Sequence, residues 1–171
     1  MEPNTITLRP WRETDLDNVA VYANNYHIAS KHMNVFPYPY ARENAEEFFS
    51  RIKPANPANI LAITLNDQFV GSIGLHFQND IFFRNAELGY WVAEPFWGRG
   101  FATEAIKQVT AYGFANWDYL QRVFARPFGS NIGSQRALEK AGFTFEARLQ
   151  GTIFKNNRVE DELIYAKRRS A

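Results

Sequence analysis

The stretch from Asn85 to Phe114, NAELGYWVAEPFWGRGFATEAIKQVTAYGF, constrains the fold more than any other part of the sequence. Its first part, Glu87 to Val92, is short, aromatic and β-branched, which predicts a strand. A tight loop with two glycines, Trp97 to Ala102, follows. From Thr103 onward, small and apolar residues recur every three or four positions, which predicts a helix with one buried face.

This order of strand, glycine loop and helix favours binding of an anion. The first N–H groups of a helix have no partner within the helix, and the helix dipole is positive there. Glycines let a phosphate approach the backbone closely. We therefore expect Gly98 to Thr103 to hold a phosphate or pyrophosphate, with Arg99 adding positive charge. An ordinary turn between a strand and a helix is the alternative, because two glycines before a helix are common.

Two common nucleotide-binding motifs fit this loop poorly. A P-loop requires Gly-Lys followed by Ser or Thr at the helix start, and the sequence lacks it. A dinucleotide fingerprint requires an acidic residue at the end of the next strand. Asp118 instead precedes the next predicted strand, Arg122 to Phe128. The sequence therefore argues against both a P-loop and a dinucleotide-binding loop.

Three motifs in this order resemble the GCN5-related N-acetyltransferases (GNAT). They are ELGYWV at Glu87–Val92, FWGRGFATEA at Phe96–Ala105 and NIGSQRALEKAGF at Asn131–Phe143. Within the family the chain is most similar to the Rim-type branch (RimJ and RimL), whose founders acetylate the N-terminus of ribosomal proteins. Trp97 stands where the wider superfamily has Gln or Arg, as it often does in this branch. The resemblance covers nearly the whole chain, from LRPW to the region of Tyr165.

The resemblance implies the acyl-CoA N-acyltransferase fold, and the predicted elements agree with it. Strands are predicted at Ile6–Arg9, Ile60–Leu65, Phe69–Phe77, Glu87–Val92, Arg122–Phe128, Phe143–Leu149 and Glu162–Tyr165. Helices are predicted at Thr14–Ala23, Arg42–Lys53, from Thr103 onward and at Asn131–Lys140, the last of them capped by Gly142. Hairpin turns are predicted at Asn66-Asp67 and Asn156-Asn157. The strands before and after the central helix are expected to be parallel. We expect an α/β (α+β) protein with a mixed, strongly twisted sheet of about seven strands and about four helices. The length of 171 residues predicts a single domain over residues 1–171.

The resemblance also implies a site for acetyl-CoA as the acetyl donor. Backbone groups of Trp91 and Val92 would pair with the pantetheine amides, and one N–H there would polarise the thioester carbonyl. The pyrophosphate would lie on the glycine loop, at Gly98, Arg99, Gly100, Phe101, Ala102 and Thr103. Asn131 is expected to cap the last helix, and the resemblance adds a contact to the CoA arm.

Glu87 and Ser134 are the candidates for proton transfer, with Glu94 as a rival base. Glu87 lies on a strand rich in apolar and aromatic side chains, and such surroundings suit a carboxylate that accepts a proton near neutral pH. Glu94, at the mouth of the expected cleft, is the rival base, and an exposed position on an alternating strand is the structural alternative for Glu87. Ser134 shares a helix face with Ala137 and Leu138. The resemblance implies that its hydroxyl donates a proton to the leaving thiolate, whereas small-residue packing is the alternative.

The acceptor would be a primary amine, either a protein N-terminus or an amine on a small molecule. The segment from Phe36 to Tyr40 matches the region that covers the acceptor site in the Rim-type branch. Tyr26, Tyr38, Tyr40 and Glu94 are the candidate acceptor-binding residues. The sequence has no cysteine to carry an acetyl group and no Gly-x-Ser-x-Gly motif. We therefore expect direct attack of the amine on the thioester in a ternary complex.

Composition argues against several other classes of protein. The net charge of +1 gives no argument for nucleic acid or membrane as a partner. The absence of cysteine excludes disulfides and thiolate metal sites, and the three histidines lack metal-ligand spacing, so no metal is expected. No apolar segment is long enough to act as a signal or a membrane span, which predicts a cytoplasmic protein, monomeric or homodimeric. A CoA-binding sensor or scaffold without catalysis is the competing hypothesis.

Overall fold

Seven strands form one mixed sheet in the part of the chain that the computed structural model describes, residues 5–52 and 55–171. They are β1 (Ile6–Pro10), β2 (Ile60–Leu65), β3 (Gln68–Phe77), β4 (Asn85–Val92), β5 (Arg122–Ala125), β6 (Thr144–Lys155) and β7 (Arg158–Arg168). Their order across the sheet is β1-β2-β3-β4-β5-β7-β6. The predicted mixed sheet of about seven strands is confirmed.

Five α-helices occur in the described residues, one more than predicted. They are α1 (Leu16–Ala23), α2 (Tyr26–Ala29), α3 (Arg42–Ile52), α4 (Phe101–Asn116) and α5 (Ile132–Lys140). The additional helix, α2, is a single turn, too short to show a helical repeat in the sequence. Asn25 caps it, since its side chain accepts a hydrogen bond from the N–H of Ile28 at 3.3 Å. The residue predicted to end α3, Lys53, lies outside the described residues.

The first three strands are antiparallel neighbours, and a tight turn joins β2 to β3. Asn66 and Asp67 form this turn with φ of 50° and 64°. Two consecutive left-handed residues give the twist that a two-residue hairpin needs, and Asn and Asp tolerate this conformation better than most residues. The hairpin turn predicted at Asn66-Asp67 is confirmed.

Helix α4 connects β4 to β5, and the two strands are parallel, as predicted. Their register pairs Asn85 with Arg122 and Glu87 with Phe124. The prediction that the second strand continues to Phe128 is wrong, because β5 ends at Ala125. Pro127 has no N–H to donate to a sheet, and beyond it Phe128 forms only an isolated bridge.

The closing hairpin of β6 and β7 is longer than predicted. Its turn is at Asn156 and Asn157, which have φ of 54° and 58°, as the sequence indicated. Most residues of β6 are exposed, so apolar alternation does not mark where the strand ends. The register shifts between Leu149 and Ile153, beside the left-handed Gly151.

The contacts divide the chain into two compact units. Unit 1 comprises Met1–Gly74 with Tyr90–Phe101, and unit 2 comprises Leu75–Gly89 with Ala102–Ala171. The core of unit 1 contains Trp11, Leu16, Val19, Ala23, Tyr40, Ala45, Ala62 and Phe69. Fully buried residues of unit 2 include Ile106, Val109, Leu120, Val123 and Leu138. The single acetyltransferase domain over residues 1–171 stays a prediction.

Candidate active site

The loop after β4 has the backbone that its glycines predict. A short 3₁₀ turn, Glu94–Phe96, leads from β4 to the loop. Gly98 and Gly100 have φ of +72° and +80°, values at which glycine is favoured. A Cβ at either position would meet no other atom within 4 Å, so the loop backbone is open to a ligand.

Helix α4 begins at Phe101, two residues before the predicted start at Thr103. Ala102 and Thr103 therefore belong to its first turn, where the backbone N–H groups have no partner within the helix. Phe101 is buried, and the guanidinium of Arg99 lies over its ring at 4.9 Å from the centroid. The ring thus holds the positive charge of Arg99 beside the two glycines.

The end of β4 is packed closely against β3 within unit 1. The N–H of Ala93 donates to the carbonyl of Val70 at 2.8 Å. A Cβ at Gly71 would stand 2.4 Å from the carbonyl oxygen of Trp91, so only glycine permits this approach of the two strands. The Trp91 ring contacts Phe69, with 5.7 Å between centroids. The predicted pantetheine-binding residues thus lie on a firmly held strand end.

The surroundings of Glu87 differ from the predicted ones. Both carboxylate oxygens accept hydrogen bonds from the guanidinium of Arg126, at 2.9 and 3.1 Å. Arg126 also lies 3.5 Å from Glu162 on β7. The expectation of apolar surroundings is therefore corrected. Arg126 follows β5, and only the parallel pairing of β5 with β4 brings it to Glu87, so the strand sequence could not show it.

His76 on β3 is a titratable residue that the sequence did not mark as a candidate. Its Nε2 lies 3.2 Å from the place of a Cβ on Gly89, so the ring packs over this glycine. Gly89 and Glu87 are two positions apart on β4 and share a face of the sheet. Loss of solvation lowers the pKa of His76, while the charge of Glu87 acts in the opposite direction. The polar residue between Leu75 and Phe77 was the signal in the sequence.

Asn131 and Ser134 lie at the start of α5, in unit 2. The Asn131 side chain accepts a hydrogen bond from the Ser134 N–H at 3.3 Å, which confirms the predicted cap. Ser134 is half-buried, and the residues predicted to share its helix face, Ala137 and Leu138, are buried. At the other end Gly142, with φ of +87°, ends the helix as predicted.

Glu94 is held by two residues around α2. Its carboxylate accepts a hydrogen bond from Asn25 Nδ2 at 2.5 Å and lies 3.1 Å from His27 Nδ1. The hydrogen bond from Asn25 lowers the pKa of Glu94, and His27 adds to this effect. A carboxylate stabilised in its charged form is a weaker base, so this contact favours an anionic binding role over proton abstraction.

The three candidate tyrosines fall into two places. Tyr26 and Tyr38 are about half exposed, and their rings meet edge to face with 5.6 Å between centroids. Tyr40 instead lies in the core of unit 1, where burial raises its pKa to about 12. The structure therefore brings two of the candidate acceptor-binding rings together and places the third among core residues.

Neither a metal cluster nor a membrane-spanning helix occurs in the part of the chain that the structure describes. No group of three or more His, Asp or Glu side chains within residues 5–52 and 55–171 could hold a metal ion. None of the described helices is both long and apolar enough to cross a bilayer.

Comparison with known proteins identifies the family. The model of the acetyltransferase (GNAT) domain matches residues 5–144. The uncharacterized N-acetyltransferase YoaA of Bacillus subtilis is 35% identical over 99 residues, which cover 58% of this chain and 55% of YoaA. The ribosomal-protein-serine acetyltransferase of Escherichia coli is 26% identical over 110 residues, 64% of this chain and 60% of that protein. Each of these two matches thus covers less than two thirds of the relative's length.

A solved structure matches over almost the whole chain. RimJ from Mycobacterium smegmatis, in complex with CoA-disulfide, superposes with a TM-score of 0.83 at 24% identity. The match covers 96% of this chain and 82% of RimJ. This likeness confirms the expected fold, and the domain model extends over most of the sequence. The chain is therefore an acetyltransferase that belongs to the GNAT family.

Proposed function

We propose that the protein transfers the acetyl group of acetyl-CoA to a primary amine, by direct attack of the amine in a ternary complex. The observation that carries the donor assignment is the loop of Gly98 and Gly100. Its left-handed backbone is unobstructed and leads directly into the first turn of α4. Such a loop suits a pyrophosphate because unpaired N–H groups and the helix dipole both favour negative charge.

Each proposed donor contact belongs to a residue that the family motifs also mark. Trp91 and Val92 would pair with the pantetheine amides along the end of β4. Gly98, Arg99, Gly100, Phe101, Ala102 and Thr103 would hold the pyrophosphate. Asn131 would contact the CoA arm from the start of α5. Bound acetyl-CoA supplies a thioester, an acyl group activated toward amines.

The proposed chemistry needs one proton acceptor and one proton donor. A bond forms between the amine nitrogen and the acetyl carbon, and the bond from that carbon to sulfur breaks. Glu87 takes the proton that the amine loses, and the hydroxyl of Ser134 donates a proton to the leaving sulfur. Ser134 regains its proton from water as Glu87 releases its own, so the two residues return to their starting states. The chain has no cysteine that could carry the acetyl group between two half-reactions.

The contact with Arg126 bears on the choice of base. A guanidinium that donates to both oxygens orients Glu87 and occupies the atoms with which it would accept a proton. His76 packs over Gly89 on the same face of β4, and its lowered pKa favours the neutral imidazole that can accept a proton. His76 is therefore the alternative base. It ranks ahead of Glu94, because the lowered pKa of that carboxylate makes it a weaker base.

The acceptor is proposed to be cationic before it reacts. The exposed rings of Tyr26 and Tyr38 and the anionic Glu94 all come from unit 1, and both aromatic faces and carboxylates attract an ammonium group. A protein acceptor is favoured by the name of the E. coli relative, a ribosomal-protein-serine acetyltransferase, and the N-terminal amine is the protein amine that we propose. A small-molecule amine such as a polyamine, an amino acid or an antibiotic is the other class.

A screen of acceptors tests this proposal. Purified protein with acetyl-CoA is offered peptides and small amines, and the release of free thiol is followed. We expect release above the hydrolysis rate with one class of amine, and intersecting lines when both substrates are varied. Parallel lines or an isolable acetylated protein would refute direct attack.

The same screen separates the enzyme from a sensor. Tight CoA binding without turnover on any amine would favour a non-catalytic module. A cytoplasmic location, a monomeric or homodimeric state, and the absence of metal, nucleic acid and membrane partners stay predictions.

A further inference from the structure

Trp97 makes a hydrogen bond that joins the glycine loop to β4. Its indole Nε1–H donates to the carbonyl oxygen of Val92 at 2.6 Å. Its own backbone N–H donates to the carbonyl of Glu94 at 3.1 Å. The next residue is Gly98, the first glycine of the loop. One side chain thus fixes the distance between the last residue of β4 and the start of the loop.

The carbonyl that Trp97 binds lies on a particular edge of β4. Ala93 donates to β3, and the Trp91 carbonyl also faces β3, beside Gly71. Because backbone groups alternate along a strand, Val92 directs its carbonyl to the opposite edge. Tyr90 shares this direction, and its carbonyl lies 3.1 Å from Nε2 of His32.

The Trp97 side chain therefore occupies the acceptor of Val92 on the edge of β4 that faces away from β3, and the His32 ring lies against the carbonyl of Tyr90 on the same edge. A strand edge normally offers N–H donors and carbonyl acceptors alternately to any extended ligand. With the carbonyl of Val92 engaged by Trp97, this edge has fewer acceptors to offer and is biased toward N–H donation. Such an edge suits a ligand whose carbonyl groups accept hydrogen bonds from the backbone N–H groups of β4 and are polarised by them.

The Trp97 ring is itself held in place although it is exposed. The ammonium of Lys31, just after α2, lies over the ring at 5.9 Å from the centroid. Trp97 is 43% exposed, whereas a residue whose only role is in the hydrophobic core would be buried. Its position is therefore better explained by its hydrogen bond than by apolar burial.

We propose that Trp97 is a positioning residue for the acetyl donor, acting through the carbonyl of Val92. Its indole N–H sets the spacing between the strand end that binds the pantetheine and the loop that binds the pyrophosphate. A donor that spans both sites then finds them at the correct separation without reordering the chain. This inference rests on the acetyl-CoA function proposed above.

The proposal predicts a selective loss of affinity. Trp97→Phe keeps an aromatic ring but removes the N–H donor. A ligand that reaches both strand and loop should bind about tenfold more weakly, the effect of losing one well-placed hydrogen bond. A ligand that reaches only the strand should change by less than about twofold, since it does not depend on the spacing.

The test uses calorimetry on the whole chain, with CoA as the long ligand and pantetheine as the short one, the latter measured by competition. Trp117→Phe is the matched control, because Trp117 lies just after α4, outside the loop, and packs on Phe77. Circular dichroism checks that both variants fold. If Trp97→Phe does not fold, Lys31→Met removes the cation over the ring and should give a smaller loss of the same selectivity.

The outcomes separate this inference from the proposed function. A loss of affinity for CoA but not for pantetheine supports the positioning role. An equal loss of affinity for both ligands, or no loss for either, overturns the positioning role but does not contradict the proposed function. Failure of the wild-type protein to bind CoA overturns both the proposed function and this inference.

Discussion

Gly100 is the residue at which the anion-binding hypothesis can be tested most directly. Its left-handed φ and open surroundings admit Asn or Asp with similar strain, since both tolerate this conformation. Gly100→Asp adds a negative charge that Gly100→Asn does not. We expect the Asp variant to bind CoA more than about tenfold more weakly than the Asn variant, because a charge beside the pyrophosphate repels it. Calorimetry measures both affinities, and equal values would contradict a phosphate site.

Glu87 and Ser134 are expected to act on different protons. Glu87→Gln should lower turnover by about a hundred- to ten-thousand-fold, the usual contribution of a general base, with little change in CoA affinity. Higher pH should partly restore the rate, because more of the acceptor amine is then neutral. Ser134→Ala should lower turnover without this recovery.

The measurement is a pH–rate profile for both variants on the acceptor that the screen identifies. Glu43→Gln, an exposed position on α3, is the control for the change of charge. If both variants keep the wild-type rate across the profile, neither Glu87 nor Ser134 transfers a proton in the reaction. His76 is then the next candidate base.

At the scale of elements, the contact of β3 with the end of β4 decides the position of the strand end that we propose to bind the acetyl donor. A Cβ on Gly71 would stand 2.4 Å from the Trp91 carbonyl oxygen and 3.0 Å from the Val92 Cα. Both are backbone atoms, so the strands must move apart. Gly71→Ala should therefore lower the free energy of unfolding by about 1–3 kcal/mol or more.

Gly133 in α5 provides the matched control. A Cβ there has no neighbour closer than the Asn131 Oδ1 at 4.0 Å. Gly133→Ala should raise the free energy of unfolding by about 0.5–1 kcal/mol, because alanine restricts the unfolded chain and favours the helix. Urea unfolding of both variants gives the comparison, and an effect of the same sign and size would contradict the steric argument.

At the scale of the whole molecule, several ionisable groups make stability fall in acid. Hydrogen bonds from arginines or amides lower the pKa of four carboxylates, which are Asp67, Glu94, Glu146 and Asp161. Their stabilisation is complete above the unfolded values, 3.8 for Asp and 4.5 for Glu, and is lost as pH falls through the lower folded values. The pKa of His76 is also lowered, so the folded state loses stability below the unfolded value of 6.5.

We therefore expect a shallow decline in stability below pH 6.5 and a steeper one below pH 4.5. Denaturant unfolding at a series of pH values measures it. His76→Gln should remove the shallow part and leave the steep part. Added salt should weaken the steep part, because all four carboxylates are at least partly exposed to solvent. A His76→Gln curve that coincides with the wild-type curve would refute the role of His76.

Local sequence was sufficient for most of the elements and for the glycine loop. The left-handed turns at Asn66-Asp67 and Asn156-Asn157 and the cap at Asn131 follow from the conformations these residues favour. The strand, loop and helix around Gly98 follow from apolar periodicity and from glycine itself. The family resemblance rests on the same stretch, so the sequence alone was enough to recognise it.

Only the tertiary structure decided which charged and polar groups meet. Arg126 reaches Glu87 across 39 positions of the chain, and Asn25 reaches Glu94 across 69. It also placed Tyr40 in the core and Trp97 against Val92. Periodicity reports which face of an element is buried, but side-chain partners depend on the register of neighbouring strands and on the path of loops. Local sequence thus determined where the glycine loop lies, whereas packing determined which charges and hydrogen bonds surround it.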